Sequence, residues 1–232
     1  MKRFYKTARV AKTPQGFWQI ILDGKTLRTP QDQALATSNA NLAAAIAAEW
    51  NTQGDTIDMK TMPLTRLTAG AIDRVAPRRQ EIIQDLVNHI ETDLLLHRST
   101  SPQALYERQL VLWQPLLDWM ENTIGVKLTP VEGVMSQPVS QDHKDFLSGV
   151  MENYDDFELL GLTQASKISG SVVVALALLM GRLEGESAYD ISLLEELWQI
   201  ETWGEDPEAT ARRAAVKNDF NEIAYFLKLI RS

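Results

Sequence analysis

The chain has no cysteine among its 232 residues. That excludes disulfide staples, thiolate zinc centres and cysteine nucleophiles, and it fits a reducing compartment. Histidine is scarce, with only His89, His97 and His143. The first two lie two turns apart on a continuous helix, too distant to chelate one ion, so each is read as a surface or capping residue. Long hydrophobic runs are missing too. The most apolar segment, GSVVVALALLMG from Gly170 to Gly181, falls far short of the roughly 20 residues that cross a bilayer and is read as a helix buried on most sides. No stable membrane insertion is expected. Positive charge is in deficit, with 23 Lys and Arg against 31 Asp and Glu and a net charge of −8. Nucleic-acid binding, which needs a concentrated basic surface, is therefore not expected. Phosphate-cradling glycine loops, a G-x-S-x-G elbow, H-E-x-x-H and an EF-hand loop are also absent from the sequence.

What is present is ordinary for a globular protein: 44% hydrophobic and 23% charged residues, in a length sufficient for one good core or two small ones. The first thirty residues read as β structure. RFYKTARVA, a turn-rich TPQG, FWQIIL, Asp23-Gly24 and KTLRT follow one another, and Asp-Gly between two such runs signals a hairpin turn with two positive φ angles. A helix is predicted over ANLAAAIAAEWNTQG, with Leu42, Ile46 and Trp50 on one face and Gly54 at its stop. Helical patterns then dominate. One runs through DRVAPRRQEIIQDLVNHIETDLLL, with a stripe of Ile83, Leu86, Val87, Ile90 and Leu94. Another starts at Ser101-Pro102, with Ser101 as N-cap, and is expected to kink or break at Pro115. Further helices are expected over HKDFLSGVMEN, FELLGLTQASK, the apolar run, SLLEELWQIETW, and from Pro207 almost to the end. Between them, residues 126–134 look extended and are assigned as a possible extra strand of the N-terminal sheet. The predicted fold class is α+β: a small N-terminal sheet-plus-helix domain over 1–75, then a larger all-α domain over 76–232.

Charge is segregated. Lys2, Arg3, Lys6, Arg9, Lys12, Lys25 and Arg28 are opposed by Asp23 alone in the first 28 residues, whereas no Lys or Arg interrupts the acidic run from Glu184 to Ala211. Solvated faces account for such runs in most proteins; the sharper reading is an acidic docking surface for a basic partner. Within that run, ETWGEDPEA (201–209) reads as a helix corner. Gly204 suits the left-handed position after a helix ending at Trp203, Asp206 is a good N-cap, Pro207 fits the first helical position, and Glu208 complements the helix dipole. Glu205 has no such structural task and no basic residue close in sequence, so it stands out as a functional candidate. The same carboxylates, Glu195 through Asp206, are also the only material for a metal-dependent hydrolase, the alternative reading. Of the tryptophans, Trp50, Trp113 and Trp198 fall on apolar faces, and Trp18, Trp119 and Trp203 are ambiguous.

Seven stretches in order, RFYKTARV, LDGKTLRTP, AIAAEWNTQGDTIDMKTMPLTRL, ETDLLLHR, ERQLVLWQPLLDW, GSVVVALAL and LWQIETWGED, resemble the assembly-chaperone family for the α subunit of F-type ATP synthase. In animals this family is called mitochondrial ATP synthase assembly factor two. The likeness spans nearly the whole chain and implies an α+β domain followed by a helical one. It implies a chaperone rather than an enzyme, without cofactor or metal, that binds the unassembled α subunit, prevents its aggregation and hands it to β. A monomer is expected. The compartment expected is the cytoplasm for a bacterial member and the mitochondrial matrix for a processed eukaryotic one. The family's Glu-Trp-x-x-Gln-x-x-x-Ile pattern falls on Glu49, Trp50, Gln53 and Ile57, implying roles in fold integrity, to which Gly204 and Asp206 are added. Glu196 and Glu205 match acidic positions of the family's corner segment and, with Glu201 and Trp203, are the candidate partner-binding residues. Leu96-His97-Arg98 departs from the family's usual Cys-Tyr-Arg, and no role is assigned there.

Overall fold

A computed structural model describes residues 1–133 and 138–231, apart from the side chain of Glu208. The protein is α+β, with an antiparallel sheet at the N-terminus and helices thereafter. Strands β1 (Ala8–Lys12) and β2 (Trp18–Leu22) pair antiparallel, placing Ala8 opposite Leu22 and Val10 opposite Ile20. Short strands β3 (Lys25–Thr26) and β4 (Ala36–Thr37) both pair with β2. The predicted Asp-Gly turn is present: Asp23 has φ 46° and Gly24 φ 87°. The Asp23 carboxylate also accepts from the amides of Lys6 and Thr7 at 2.8 and 2.9 Å, and those bonds hold its pKa below the usual aspartate range.

Helix α1 (Ala40–Asn51) is capped by the Asn39 side chain on the Leu42 amide and buries Leu42, Ile46 and Trp50 as its spacing predicts. It ends on Thr52 rather than on Gly54, the stop predicted from sequence. Helix α2 (Pro63–Gly70) starts with proline and has no cap of its own. Glu49 of α1 supplies one: its carboxylate accepts from the amides of Leu64 and Thr65 at 2.7 and 2.8 Å and from the Thr65 hydroxyl at 2.7 Å. These are the second and third amides of the helix, the ones an N-cap side chain ordinarily satisfies. Burial pushes the Glu49 pKa up; the three hydrogen bonds pull against that without cancelling it. Trp50, 4% exposed, donates from Nε1 to Thr65 Oγ1 at 3.1 Å and stacks edge-on against Tyr5, whose hydroxyl reaches the Trp50 carbonyl. Gln53, also buried, accepts from the Asp58 amide and donates to Thr61. The Glu49–Ile57 pattern thus ties α1 to the start of α2.

The continuous helix expected over residues 73–96 is broken. A π turn over Ala71–Val75 and a 3-10 turn at Ala76–Arg78 precede α3 (Arg79–His89), and two more 3-10 turns flank Asp93. Asp93 is fully buried, and its carboxylate accepts from the amides of Leu95 and Val173 at 3.0 and 3.1 Å. A carboxylate engaged in this way cannot also face solvent from a regular helix, which is why the pattern fails there.

Strand β5 (His97–Arg98) follows, then α4 (Gln103–Trp119), which begins after Pro102 rather than with it at the first helical position. It runs unbroken through Pro115, contrary to the expected interruption. Pro115 is on the exposed side, and the carbonyl that loses its amide partner belongs to Val111, an exposed residue, so it is open to solvent and not buried without a partner. A π turn over Met120–Ile124 ends on Gly125 at φ 86°. Strand β6 (Val131–Glu132) pairs in parallel with β5 and not with the N-terminal sheet to which residues 126–134 were assigned; Val134 lies outside the described residues. Helices α5 (Gln141–Glu152), α6 (Asp156–Ser169), α7 (Val172–Leu179), α8 (Gly185–Ser192), α9 (Leu194–Trp203) and α10 (Pro207–Arg231) complete the chain. All eight residues of α7 are buried, as the apolar run predicts. Helix α8 carries no signal singled out in the sequence. Its Gly185 packs where a Cβ would lie 3.0 Å from the Phe220 carbonyl oxygen, so only glycine fits without displacement.

Two compact units result. The first comprises Met1–Arg79 with Asp156–Leu160 and Tyr225–Ser232; the second comprises Gln80–Asp155 and Gly161–Ala224. The first unit therefore draws in pieces of α6 and α10 that a linear division at residue 75 assigns to the helical domain. Arg79 pairs with Asp156 at 2.8 Å, and Phe157 stacks on Phe226 within it.

Candidate functional site

The corner between α9 and α10 lies wholly in the second unit. Helix α9 ends as Gly204 donates its amide to the Ile200 carbonyl at 2.8 Å. Gly204 then adopts φ 94° and ψ 171°. The positive φ agrees with the sequence pattern, but this is an extended conformation open to glycine almost alone, and not the left-handed helical one that the pattern predicts. A Cβ there would meet nothing within 4 Å, so the requirement for glycine is one of backbone and not of space. Asp206 directly precedes α10, and its carbonyl accepts from the Thr210 amide and hydroxyl at 3.0 and 2.9 Å.

Arg213 organises the corner. Its side chain is 6% exposed, with one guanidinium nitrogen 3.2 Å from Glu196 and the other 2.8 Å from the Thr210 hydroxyl and 3.7 Å from Glu205. Arg212 pairs with the second oxygen of Glu196. Burial alone would raise the Glu196 pKa; the hydrogen bonds and charges of Arg212 and Arg213 outweigh it and hold the carboxyl below the usual glutamate range. Glu205 accordingly does have a basic neighbour, which corrects the sequence reading. Arg213 is eight positions further on, two turns into α10, where its long side chain reaches back to the residue before the helix. The sequence signal for this partner is the Arg212-Arg213 pair that closes the acidic run.

Glu201 pairs with Arg108 of α4 at 2.8 Å. Glu195 accepts from Gln109 of α4 at 2.7 Å, while the other end of that fully buried amide holds the Ser99 amide. Trp203 is 73% exposed and meets Trp198 edge-on at 5.6 Å. Trp198 is half-buried, so its assignment to the core is only half right, whereas Trp113 is fully buried with Nε1 on the Ile191 carbonyl. Trp203, Ile200, Leu193, Glu196 and Arg213 border an open cleft of about 550 Å³.

The structure thus brings Glu196, Glu205, Trp203 and Gly204 to one corner, with Glu201 on the flank facing α4. Glu49 and Trp50 belong to the other unit and act in its packing. Chemically, the corner offers an exposed indole, a cleft lined by both apolar and charged side chains, and a surplus of carboxylates over the three guanidiniums. The carboxylate oxygens are engaged by arginine and glutamine side chains, and among the described residues no three His, Asp or Glu side chains gather to hold a metal ion.

Comparison with known proteins is consistent along the chain. The family described as ATP12 chaperone protein matches residues 2–121. The mitochondrial protein atp12 of Schizosaccharomyces pombe is 26% identical over 217 residues, covering 88% of this chain and 74% of that protein. The crystal structure of Atp12 from Paracoccus denitrificans superposes with a TM-score of 0.94 at 33% identity, over 99% of this chain and 98% of the other. The Atu1473 protein of Agrobacterium tumefaciens gives 0.91 at 36% identity, over all of this chain and 85% of its own.

Proposed function

Because the chain belongs to the ATP12 chaperone family, we propose that it is an assembly chaperone of the F-type ATP synthase. It binds the unassembled α subunit, prevents its aggregation and releases it to the β subunit. A subunit destined for a ring exposes apolar interface before its neighbour arrives, and such surface aggregates unless it is covered. The observation that supports a holding role is the corner itself, where Trp203 projects beside Glu201 and Glu205 at a cleft of mixed apolar and charged lining. An exposed indole supplies contact area, and surrounding charge supplies orientation and keeps binding reversible.

The reading is tested by light scattering of purified α subunit with and without this protein at equal molarity, against an acidic protein of similar size. Suppression specific to this chain, with a complex on gel filtration, is expected. If the α subunit aggregates unchanged and no complex forms, the proposed client is wrong.

A further inference from the structure

The first unit contains an open cleft of about 630 Å³ that the corner does not explain. Its floor is Leu35 and Trp50, its walls include Leu27 and Ala69, and Met59 stands on its rim, 43% exposed. That volume falls within the range of pockets that take small ligands or anchor side chains. The polar groups of its walls already satisfy one another. Asp73, 8% exposed, accepts from the Thr29 hydroxyl at 2.6 Å and the Gln31 amide at 3.1 Å, and the Trp50 indole donates to Thr65. The interior is therefore suited to apolar rather than polar atoms.

The exposed charge of the mouth is carried by arginines, while the lining carboxylate, Asp73, is buried beneath them. Arg28, Arg66 and Arg74 are exposed there; Arg66 already interacts with Glu49 and Arg28 donates to the Asp32 carbonyl at 2.6 Å, so Arg74 is the guanidinium on which the argument rests. Asp32 lies 3.5 Å from Arg28, but both side chains are largely solvated, so the pair neutralises little. The Arg74 guanidinium lies against Gly70, where a Cβ would stand 2.6 Å away; the missing side chain gives the guanidinium its place beside the cleft. From this apolar floor under an arginine rim, we propose that the cleft binds a partner segment carrying a large apolar side chain flanked by carboxylates. The guanidiniums take the carboxylates and the cleft takes the apolar side chain. The inference does not depend on which subunit is the client of the acidic corner.

The test uses the full-length protein and fluorescence anisotropy of a labelled peptide in which phenylalanine alternates with glutamate. The same peptide with lysine for glutamate, and dodecanoate as a competitor, are the comparisons. The acidic peptide is expected to bind, to weaken in high salt, and to lose about tenfold in affinity in Arg74→Glu, an exposed position whose thermal melt should not change. Ala69→Trp, which fills the cleft, should abolish binding. Equal binding of the lysine peptide, no binding at all, or full affinity in Arg74→Glu would overturn the proposal. Dodecanoate occupying the cleft while the peptide does not would overturn the peptide as occupant. Suppression of α-subunit aggregation that persists through any of these failures would leave the chaperone reading intact and remove only this one.

Discussion

Glu196→Ala removes the principal counter-charge of Arg213 and probes what holds the corner. Arg213 keeps only 6% of its side-chain exposure, so water cannot replace the lost carboxylate, and what remains is Thr210 at 2.8 Å and Glu205 at 3.7 Å. Breaking a fully buried pair in this way costs about 3–5 kcal/mol. Glu196 itself retains 28% exposure and Thr210 still accepts one hydrogen bond, so about half of that, roughly 2 kcal/mol, is the expected loss. For a chain of this length, this corresponds to a fall of about 4–8 °C in melting temperature by calorimetry. The double variant with Arg213→Met should recover part of the loss, because it removes the stranded guanidinium. A fall of less than about 1 °C in Glu196→Ala, or a double variant less stable than either single one, would refute the account of Arg213 as a buried charge dependent on Glu196.

Other consequences follow from the same geometry. Glu205→Lys replaces an exposed carboxylate 3.7 Å from Arg213 with a like charge. It should cost under about 1 kcal/mol by thermal melt while weakening suppression of client aggregation; unchanged suppression would exclude Glu205 from the gripping surface. Trp50→Arg replaces a 4%-exposed indole and its bond to Thr65 with a charge, and should cost at least about 4 kcal/mol or prevent folding; a stable variant by denaturant titration would contradict that burial. Asp93→Ala strands the buried amides of Leu95 and Val173 and should lower stability by about 2–5 kcal/mol in urea titration, with Asp93→Asn milder because one acceptor remains. The pH dependence has a definite sign. The Glu196 pKa is depressed in the fold, so its contribution is complete above the ordinary glutamate value of about 4.3 and is lost as pH falls through the lower folded value. Glu49, raised by burial, acts in the opposite sense: its ionisation erodes stability as pH climbs from the ordinary value to the raised one. Melts of Glu196→Gln against the parent between acid and neutral pH should converge at the acid end; a constant gap would contradict the shift.

Local chemistry alone determined much of this protein. The Asp23-Gly24 hairpin, the buried face of α1, the wholly buried α7 and the start of α10 at Pro207 each depend on neighbours within a turn or two, where periodicity and φ preference act directly. The ordered segments that resemble the chaperone family were legible for the same reason, being contiguous strings. The tertiary structure decided what depends on residues far apart in sequence. Glu49 caps a helix that begins fourteen positions later, and Asp93 ends one helical stretch by bonding to an amide eighty residues away. Segments of α6 and α10 join the N-terminal unit. At the corner, the sequence displayed the carboxylates but not their pairing with Arg108, Arg212 and Arg213, because charge partners are chosen by distance in space. A run that reads as unbroken negative charge is therefore, once folded, a partly neutralised scaffold from which Trp203 and Glu205 project.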